Sequence, residues 1–438
     1  MQRTSIFAAG LLACVVGPPA WAETTLTIAT VNNNDMIVMQ RLSGEFEQAH
    51  PDIKLNWVVL EENVLRERLT TDIATNSGQY DILTIGLFEA PMWGEREWLV
   101  PFDSTPADYE PDDVIKSMRD GLSHDGKLFA LPFYGESQMT LYRKDLLEKA
   151  GAVMPDQPTW KEIGEIAAKI HDPANGVYGI CLRGKPGWGE NVGQITPVAN
   201  SYGARWFDMD WKPQLTSPEW HEALTTYVDL LKNYGPPGAA SNGYNETLAL
   251  FSTGHCGIWV DATVSAGFLA DPQQSHVVGK VGYAHPPVGK YNKGNHYLWA
   301  WALAVPASSK SPEAAKDLIY WATSKDYIER VAEESGWATV PPGTRYSTYE
   351  NPKYLEAAPF AKLTLDTINT ADPNDATQEP VPYRGISFVG IPEFQALGTT
   401  VGQHFAAVIS GQETVDAALE TAQGIAERTM LQSGRLKK

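Results

Sequence analysis

The chain has 438 residues, 43% of them hydrophobic, with 53 Asp and Glu against 34 Lys and Arg and a formal net charge of −19 at pH 7. That length is about two to three times a typical domain, so two lobes are expected, and the apolar fraction is ample for real cores. The acidic balance excludes partners that need clustered Lys and Arg, nucleic acid and anionic membrane surfaces, and reads as the charge that keeps an abundant soluble protein dispersed.

Residues 1–22 read as a targeting segment. Arg3 supplies a positive start, residues 6–16 an apolar run too short to span a bilayer, and Ala20-Trp21-Ala22 a small-x-small cleavage site before Glu23. Leu11-Leu12-Ala13-Cys14 resembles a lipobox, so lipid anchoring at Cys14 is the alternative to release. The apolar run continues past Cys14 to the Ala-Trp-Ala site, which favours release. No later stretch approaches the roughly 20 apolar residues of a spanning helix, so an exported protein without membrane insertion is expected. Cys181 and Cys256 remain after cleavage. A disulfide and two buried free thiols are both open to them.

In chain order, residues 25–29 alternate as a strand and 31–35 follow as a polar loop, with Asp35 placed to cap a helix whose apolar residues are Met36, Met39, Leu42 and Phe46. A second strand spans 53–60. A helix over 61–76 carries Val64, Leu65, Leu69 and Ile73 on one face, and 81–85 is a short, nearly continuous apolar strand of the buried parallel kind. This order predicts an α/β lobe with a largely parallel sheet. Residues 86–93, containing Glu89, form a loop at a strand's carboxyl end, where ligands sit in open α/β sheets.

Residues 131–151 are different. A strand interrupted by Gly135 and Glu136 is a poor core strand, and it reads better as a chain crossing between lobes that lends side chains to a cleft. It closes with a helix over 144–150, stopped by Gly151 at the usual left-handed position. Beyond it, Thr159-Trp160-Lys161-Glu162 is a capping-box start for a helix to Ile170. Ser217-Pro218 starts another that Gly235 ends. Residues 256–260 form a strand, Ser311-Pro312 begins a helix through Thr323, and 413–430 is a last long helix.

Catalytic motifs are missing: there is no Gly-x-Ser-x-Gly elbow, His-Glu-x-x-His, Walker loop or Cys-x-x-Cys pair. Residues 187–193 have one residue too many for a dinucleotide fingerprint and read as a loop. The nine histidines are scattered without metal-ligand spacing, so no cofactor and no metal are expected. A carboxylate pair of the glycosidase kind stays open. What stands out among the 14 tryptophans is their placement beside glycines and polar residues. Trp188 lies between two glycines, Trp259 two residues before Asp261, Trp299 and Trp301 alternate in Tyr297-Leu298-Trp299-Ala300-Trp301, and Trp337 follows Gly336. Trp160, Trp220 and Trp321 lie in helix patterns and read as core. Carbohydrate sites need such a mixture: aromatic faces pack on C–H groups while carboxylates, amides and Arg fork onto neighbouring hydroxyls.

Four segments resemble one family: LPFYGESQMTLYRKDLLEKAG (131–151), GIWVDATV (257–264), LWAWALAVP (298–306) and PYRGISFVGIPEF (382–394). Across essentially the whole mature chain the sequence is similar to the extracellular solute-binding proteins of carbohydrate ABC transporters. Asn32-Asn33-Asn34-Asp35-Met36 points to the sorbitol and mannitol (polyol) binders. The resemblance implies an α/β, two-lobed periplasmic-binding-protein fold of type II, with a ligand cleft between lobes and crossings near 134–138, 297–301 and 337–342. The N-terminal lobe would comprise 23–135 and 300–338, the C-terminal lobe 136–299 and 339–438. Implied ligand contacts are Asn33, Asn34, Asp35 and Glu89 on loops of the first lobe, Tyr134 and Glu136 at the first crossing, Arg183, Trp188, Asp208 and Asp261 in the second lobe, Trp299, Trp301 and Trp337 at later crossings, and Arg384. The tryptophan order departs from that of longer-saccharide binders. The implied protein is a monomeric, non-enzymatic periplasmic receptor that closes on a small polyol or sugar and passes it to an ABC permease. A mono- or disaccharide binder, an exported carbohydrate-active enzyme and a chemoreceptor carrier are the alternatives.

Overall fold

A computed structural model describes residues 23–437. The targeting segment, with Arg3, Cys14 and the cleavage site, lies outside the described residues. The first sheet is built as expected from alternating strands and helices: β1 (Thr24–Val31), α1 (Asn34–Ala49), β2 (Ile53–Leu60), α2 (Glu62–Thr75), β3 (Ile82–Ile85) and α3 (Glu89–Glu95). β2 and β3 flank β1 in parallel, and β3, fully buried, is the continuous apolar strand that such a position requires. α4 (Lys116–Gly121) and the small hairpin β4 (Ser123–His124) and β5 (Lys127–Leu128) follow, and then β6 (Leu131–Glu136).

The chain leaves this sheet at Ser137. β7 (Gln138–Arg143) belongs to a second, four-stranded sheet of order β10-β7-β9-β8, whose other members are β8 (Tyr178–Cys181), β9 (Cys256–Ala262) and β10 (Val281–Ala284). After β10 the chain returns as β11 (Trp299–Ala304), which inserts antiparallel between β3 and β6 and completes a five-stranded sheet of order β2-β1-β3-β11-β6. The molecule is therefore a two-lobed α/β protein, and the interrupted strand of 131–143 is two strands in two sheets.

Helices cover both sheets. α5 (Lys144–Lys149) ends at Gly151, whose φ of +61° is the left-handed conformation anticipated there. α6 (Trp160–Ile170) has the full Thr159/Glu162 capping box. α7 (Gly193–Tyr202), α8 (Pro218–Tyr234), α9 (Tyr244–Ser252) and α10 (Ser265–Ala270) surround the second sheet, and α11 (Pro312–Ala322) and α12 (Lys325–Ser335) return to the first lobe, where α11 packs on α1. α13 (Tyr346–Glu350), α14 (Pro352–Ala357), α15 (Ala361–Thr370), α16 (Phe394–Ile409) and α17 (Val415–Gln432) complete the chain. No described helix is long and apolar enough to cross a membrane.

Several local expectations need correction. Residues 86–93 are not all loop, because Glu89 opens α3 and accepts the Gly86 N–H at 3.0 Å. Residues 188–192 form a π-helical turn, kinked at Glu190 (φ −98°, ψ −108°), that leads into α7. Asp35 lies inside the first turn of α1, with Asn33 at the cap position. On α2 Leu65, Leu69 and Ile73 are buried as anticipated, but Val64 is 40% exposed and Arg66, 6% exposed, joins the buried face instead. Trp160 and Trp220 are core, whereas Trp321 is half-buried against the edges of Phe46 and Tyr327. Cys181 and Cys256 are bonded to each other, tying β8 to β9. Closing a loop of 75 residues restricts the unfolded chain by about 4 kcal/mol in the chain-entropy description.

Two crossings touch backbone to backbone. The Gly135 N–H donates to Pro342 O at 2.8 Å. A Cβ on Gly135 would lie 2.4 Å from Gly343 O, and one on Gly343, itself at φ +70°, 2.0 Å from Gly135 O. The glycine that spoiled the strand pattern is there because no side chain fits between the crossings.

Candidate functional site

Where β6 and β11 leave the first sheet, their residues alternate sides with a period of two. Tyr134 and Glu136 share one side, and the antiparallel register sets Trp301 opposite Tyr134 and Trp299 opposite Glu136. These four form one patch facing the second lobe. Asn33, at the end of β1, joins it by donating to the Tyr134 hydroxyl at 2.8 Å. Across the gap stand Arg183 after β8, Trp188 on the π-helical turn, Gln194 on α7, Tyr244 at the start of α9, and Tyr297 and Ser387. The space between the two walls is about 500 Å³, part of it open to solvent.

Arg66 of α2 enters this space from the first lobe. Its Nη1 donates to Glu89 Oε1 at 2.6 Å, and its Nε and Nη2 donate to Glu62 Oε1 at 3.0 and 2.9 Å. Its guanidinium carbon lies 4.1 Å from the ring centre of Trp188, 4.8 Å from Trp301 and 5.1 Å from Trp299. Trp299 can lie there because residue 86 is glycine: a Cβ would stand 2.0 Å from the indole.

Arg183 is the cation of the opposite wall. Asp261, fully buried at the end of β9, takes its Nε and Nη2 in a fork at 2.8 and 2.5 Å. Asp261 also accepts from Trp259 Nε1 at 3.1 Å and from the Ala262 N–H at 2.6 Å, and Glu190 Oε2 lies 3.4 Å from Arg183. Arg183 stacks over Tyr244, its carbon 5.0 Å from the ring centre. Glu136 differs from Asp261. It accepts no hydrogen bond among the described residues, and burial pushes its carboxyl well above the usual range, with Arg183 drawing it part of the way back. Burial likewise raises Glu190, to about 8.

The lobes are closed on each other around this space. On one rim Asn34 Nδ2 donates to Gln274 at 3.0 Å and Asn245 Nδ2 to Asn32 at 3.4 Å. On the other, Lys185 Nζ donates to Glu61 at 2.7 Å, Asn63 Nδ2 to Pro186 O at 3.2 Å and Thr70 Oγ1 to Gln395 at 2.9 Å. Gly189 sits directly on the Glu62–Arg66 pair, where a Cβ would be 2.1 Å from Glu62 Oε1.

Of the residues anticipated from sequence, the structure brings Asn33, Tyr134, Glu136, Arg183, Trp188, Trp299 and Trp301 to one cavity. Asp261 and Glu89 stand behind it, each holding one of the arginines. Asn34 faces outward on the rim. Asp35 is buried against α10 and the third crossing, among Val264, Phe268 and Val340, and burial raises its carboxyl to about 7. Three others lie away from the cavity altogether. Asp208 closes its own turn, accepting the N–H groups of Asp210 and Lys212 at 2.9 and 3.0 Å. Trp337 lies beneath Lys353 in a groove beside α12. Arg384 lines a separate groove with Arg96, Trp211 and Arg435, because the backbone turns over at Gly385 and presents Ser387 to the cavity instead. Sequence reasoning missed Glu62, Arg66, Gln194, Tyr244, Tyr297 and Ser387. Tyr297 could have been found, since it continues the period of two from Trp301 and Trp299.

A profile of the bacterial extracellular solute-binding protein family matches residues 33–329. A mannitol-binding protein of Pseudomonas aeruginosa is 56% identical over 434 residues, covering 99% of each chain. A crystal structure of an ABC transporter solute-binding protein from Agrobacterium vitis S4, with bound D-mannitol, superposes with a TM-score of 0.93 at 57% identity over 94% of this chain and 99% of that one. Another from Agrobacterium radiobacter K84, in complex with ribitol, gives 0.82 at 27% identity over 93% and 99%.

Proposed function

Because the chain belongs to the bacterial extracellular solute-binding protein family, we propose that it is the receptor of an ABC importer for a small polyol of the mannitol type. The observation that carries this reading is the lining of the interlobe cavity, where carboxyl, guanidinium, amide and phenol groups alternate with indoles. A polyol offers a donor and an acceptor at every carbon, and each hydroxyl left unpaired on burial costs about 1–3 kcal/mol, so a ring of mixed polar groups selects it. Asn33, Tyr134, Glu136, Arg66, Arg183 and Gln194 contact the hydroxyls in this reading, while Asp261 and Glu89 hold the arginines in position.

The ligand acts by differential contact. Bound to the first lobe, it adds interactions with the second and so shifts the open–closed equilibrium towards the closed form, which the permease recognises in the periplasm. The lobes are taken as 23–135 with 300–338 and 136–299 with 339–438. Titration calorimetry of D-mannitol, D-sorbitol, D-arabitol and xylitol, with mono- and disaccharides alongside, tests the reading: at least one alditol binds, and a panel with no binding at all sinks it. At about 100 times its dissociation constant the ligand raises stability by roughly 2.7 kcal/mol. Gly189→Ala checks the closure step. Its methyl meets Glu62 only when the lobes close, so affinity falls about tenfold, roughly 1.4 kcal/mol, with the unliganded melting temperature unchanged. Equal affinity would mean that Glu62 and Arg66 yield without cost.

A further inference from the structure

We infer that Arg66 makes this cavity selective for open-chain alditols over pyranose rings, by covering the tryptophan faces on which a sugar ring would stack. The inference rests on the polyol reading and specifies its ligand class. A pyranose presents flat C–H faces and binds well where an aromatic face lies bare and parallel to it. Here the three indoles converge on one guanidinium, at 4.1, 4.8 and 5.1 Å. They are also set edge to face, Trp188 to Trp299 at 71° and Trp299 to Trp301 at 82°, so they offer no common platform. The face of Tyr244 is taken in the same way by Arg183.

Arg66 is not free to swing aside. Glu62 and Glu89 hold its fork from two directions, and Glu89 is itself fixed by the Gly86 N–H. Glu62 and Glu89 are thus positioning residues for Arg66. A stacked guanidinium keeps its N–H groups in plane, and those not used by the two carboxylates point to the cavity, where they fork onto vicinal hydroxyls. An open chain rotates its hydroxyl pairs to meet such donors without an aromatic platform; a ring holds its hydroxyls in fixed directions and gains little where no indole face is bare.

The test is calorimetry of D-mannitol against methyl α-D-mannopyranoside, a hexose locked as a ring, on the full mature protein. The parent binds mannitol at least about 100-fold more tightly. Arg66→Lys keeps the charge but loses the planar stack, so mannitol affinity falls about tenfold or more and the preference for mannitol over the pyranoside drops to within roughly tenfold. A parent that binds the two within tenfold overturns the inference, as does an Arg66→Lys protein that weakens both equally and keeps its ratio. Should that variant fail to fold by thermal melting, Glu62→Gln carries the test. By loosening one of the two carboxylate supports it lowers the ratio, and an unchanged ratio overturns the inference. A parent that binds no alditol fails the polyol reading instead, so the two failures are distinguishable.

Discussion

Replacing Glu136 by Ala weakens polyol binding by about 100-fold or more and leaves the unliganded protein at least as stable as its parent. The carboxyl is buried and faces Arg183 across the cavity, yet no described group donates a hydrogen bond to it. Its removal therefore orphans nothing in the protein. What it takes away is a donor and an acceptor for two ligand hydroxyls, at about 1–3 kcal/mol for each partner left unsatisfied. The pH dependence has a definite sign. Burial raises the folded-state carboxyl above its ordinary value of 4.5, so the folded chain holds a proton that the unfolded chain has already released. Stability contributed by this group is complete below that ordinary value and is lost as pH rises through the folded one. Glu136→Gln, which cannot ionise, gains on the parent as pH rises from 4.5 to 8. Urea denaturation at both pH values measures the gain; a flat difference would show a carboxyl that folding leaves unshifted, and one of opposite sign a carboxylate that is charged and paired.

Asp261→Ala gives the opposite result, although Asp261 faces the same arginine. This carboxylate is fully buried and accepts from both forks of Arg183, from Trp259 and from the backbone of Ala262. Removing one partner of a buried ion pair strands the other, at about 3–5 kcal/mol. Binding is lost as well, because this fork, at 2.8 and 2.5 Å, is the tightest hold that aims Arg183 into the cavity. Denaturant unfolding and calorimetry on the same preparation check both effects. A stability loss below about 1 kcal/mol would mean that Glu190, already 3.4 Å away, takes over the guanidinium. Two carboxylates within one site thus differ in kind: Glu136 is left without a partner among the described residues, while Asp261 is fully taken by the scaffold.

That difference could not be read from residues 131–151 and 257–264, where both were named as ligand contacts. A sequence shows that a carboxylate stands at a strand's end but not whether a partner waits for it. Asp208 and Asp261 illustrate the same limit, since each stands two residues after a tryptophan and only one reaches the arginine. Arg384 lies in a segment typical of the family, yet the turn at Gly385 sends it into another groove.

The sequence by itself determined the alternation of strands and helices, the caps at Thr159 and Ser217, the left-handed stop at Gly151 and the crossing at Gly135 and Glu136. These are local: each depends on hydrogen bonds, backbone angles or periodicities spanning a few residues. Seven residues of the cavity lining were also in view: Tyr134, Glu136, Trp188, Trp299 and Trp301 because aromatic residues and a carboxylate beside glycines or in alternation break the ordinary patterns of core and surface, Asn33 and Arg183 only through the family resemblance. Only the tertiary structure decided the rest. Glu62 and Arg66, four residues apart on a helix, carry no local mark that distinguishes them from a surface ion pair. Their burial follows from three indoles at positions 188, 299 and 301 converging on one guanidinium, together with Glu89 at 2.6 Å. No window of sequence contains that meeting, because it arises where strands of two lobes cross and close.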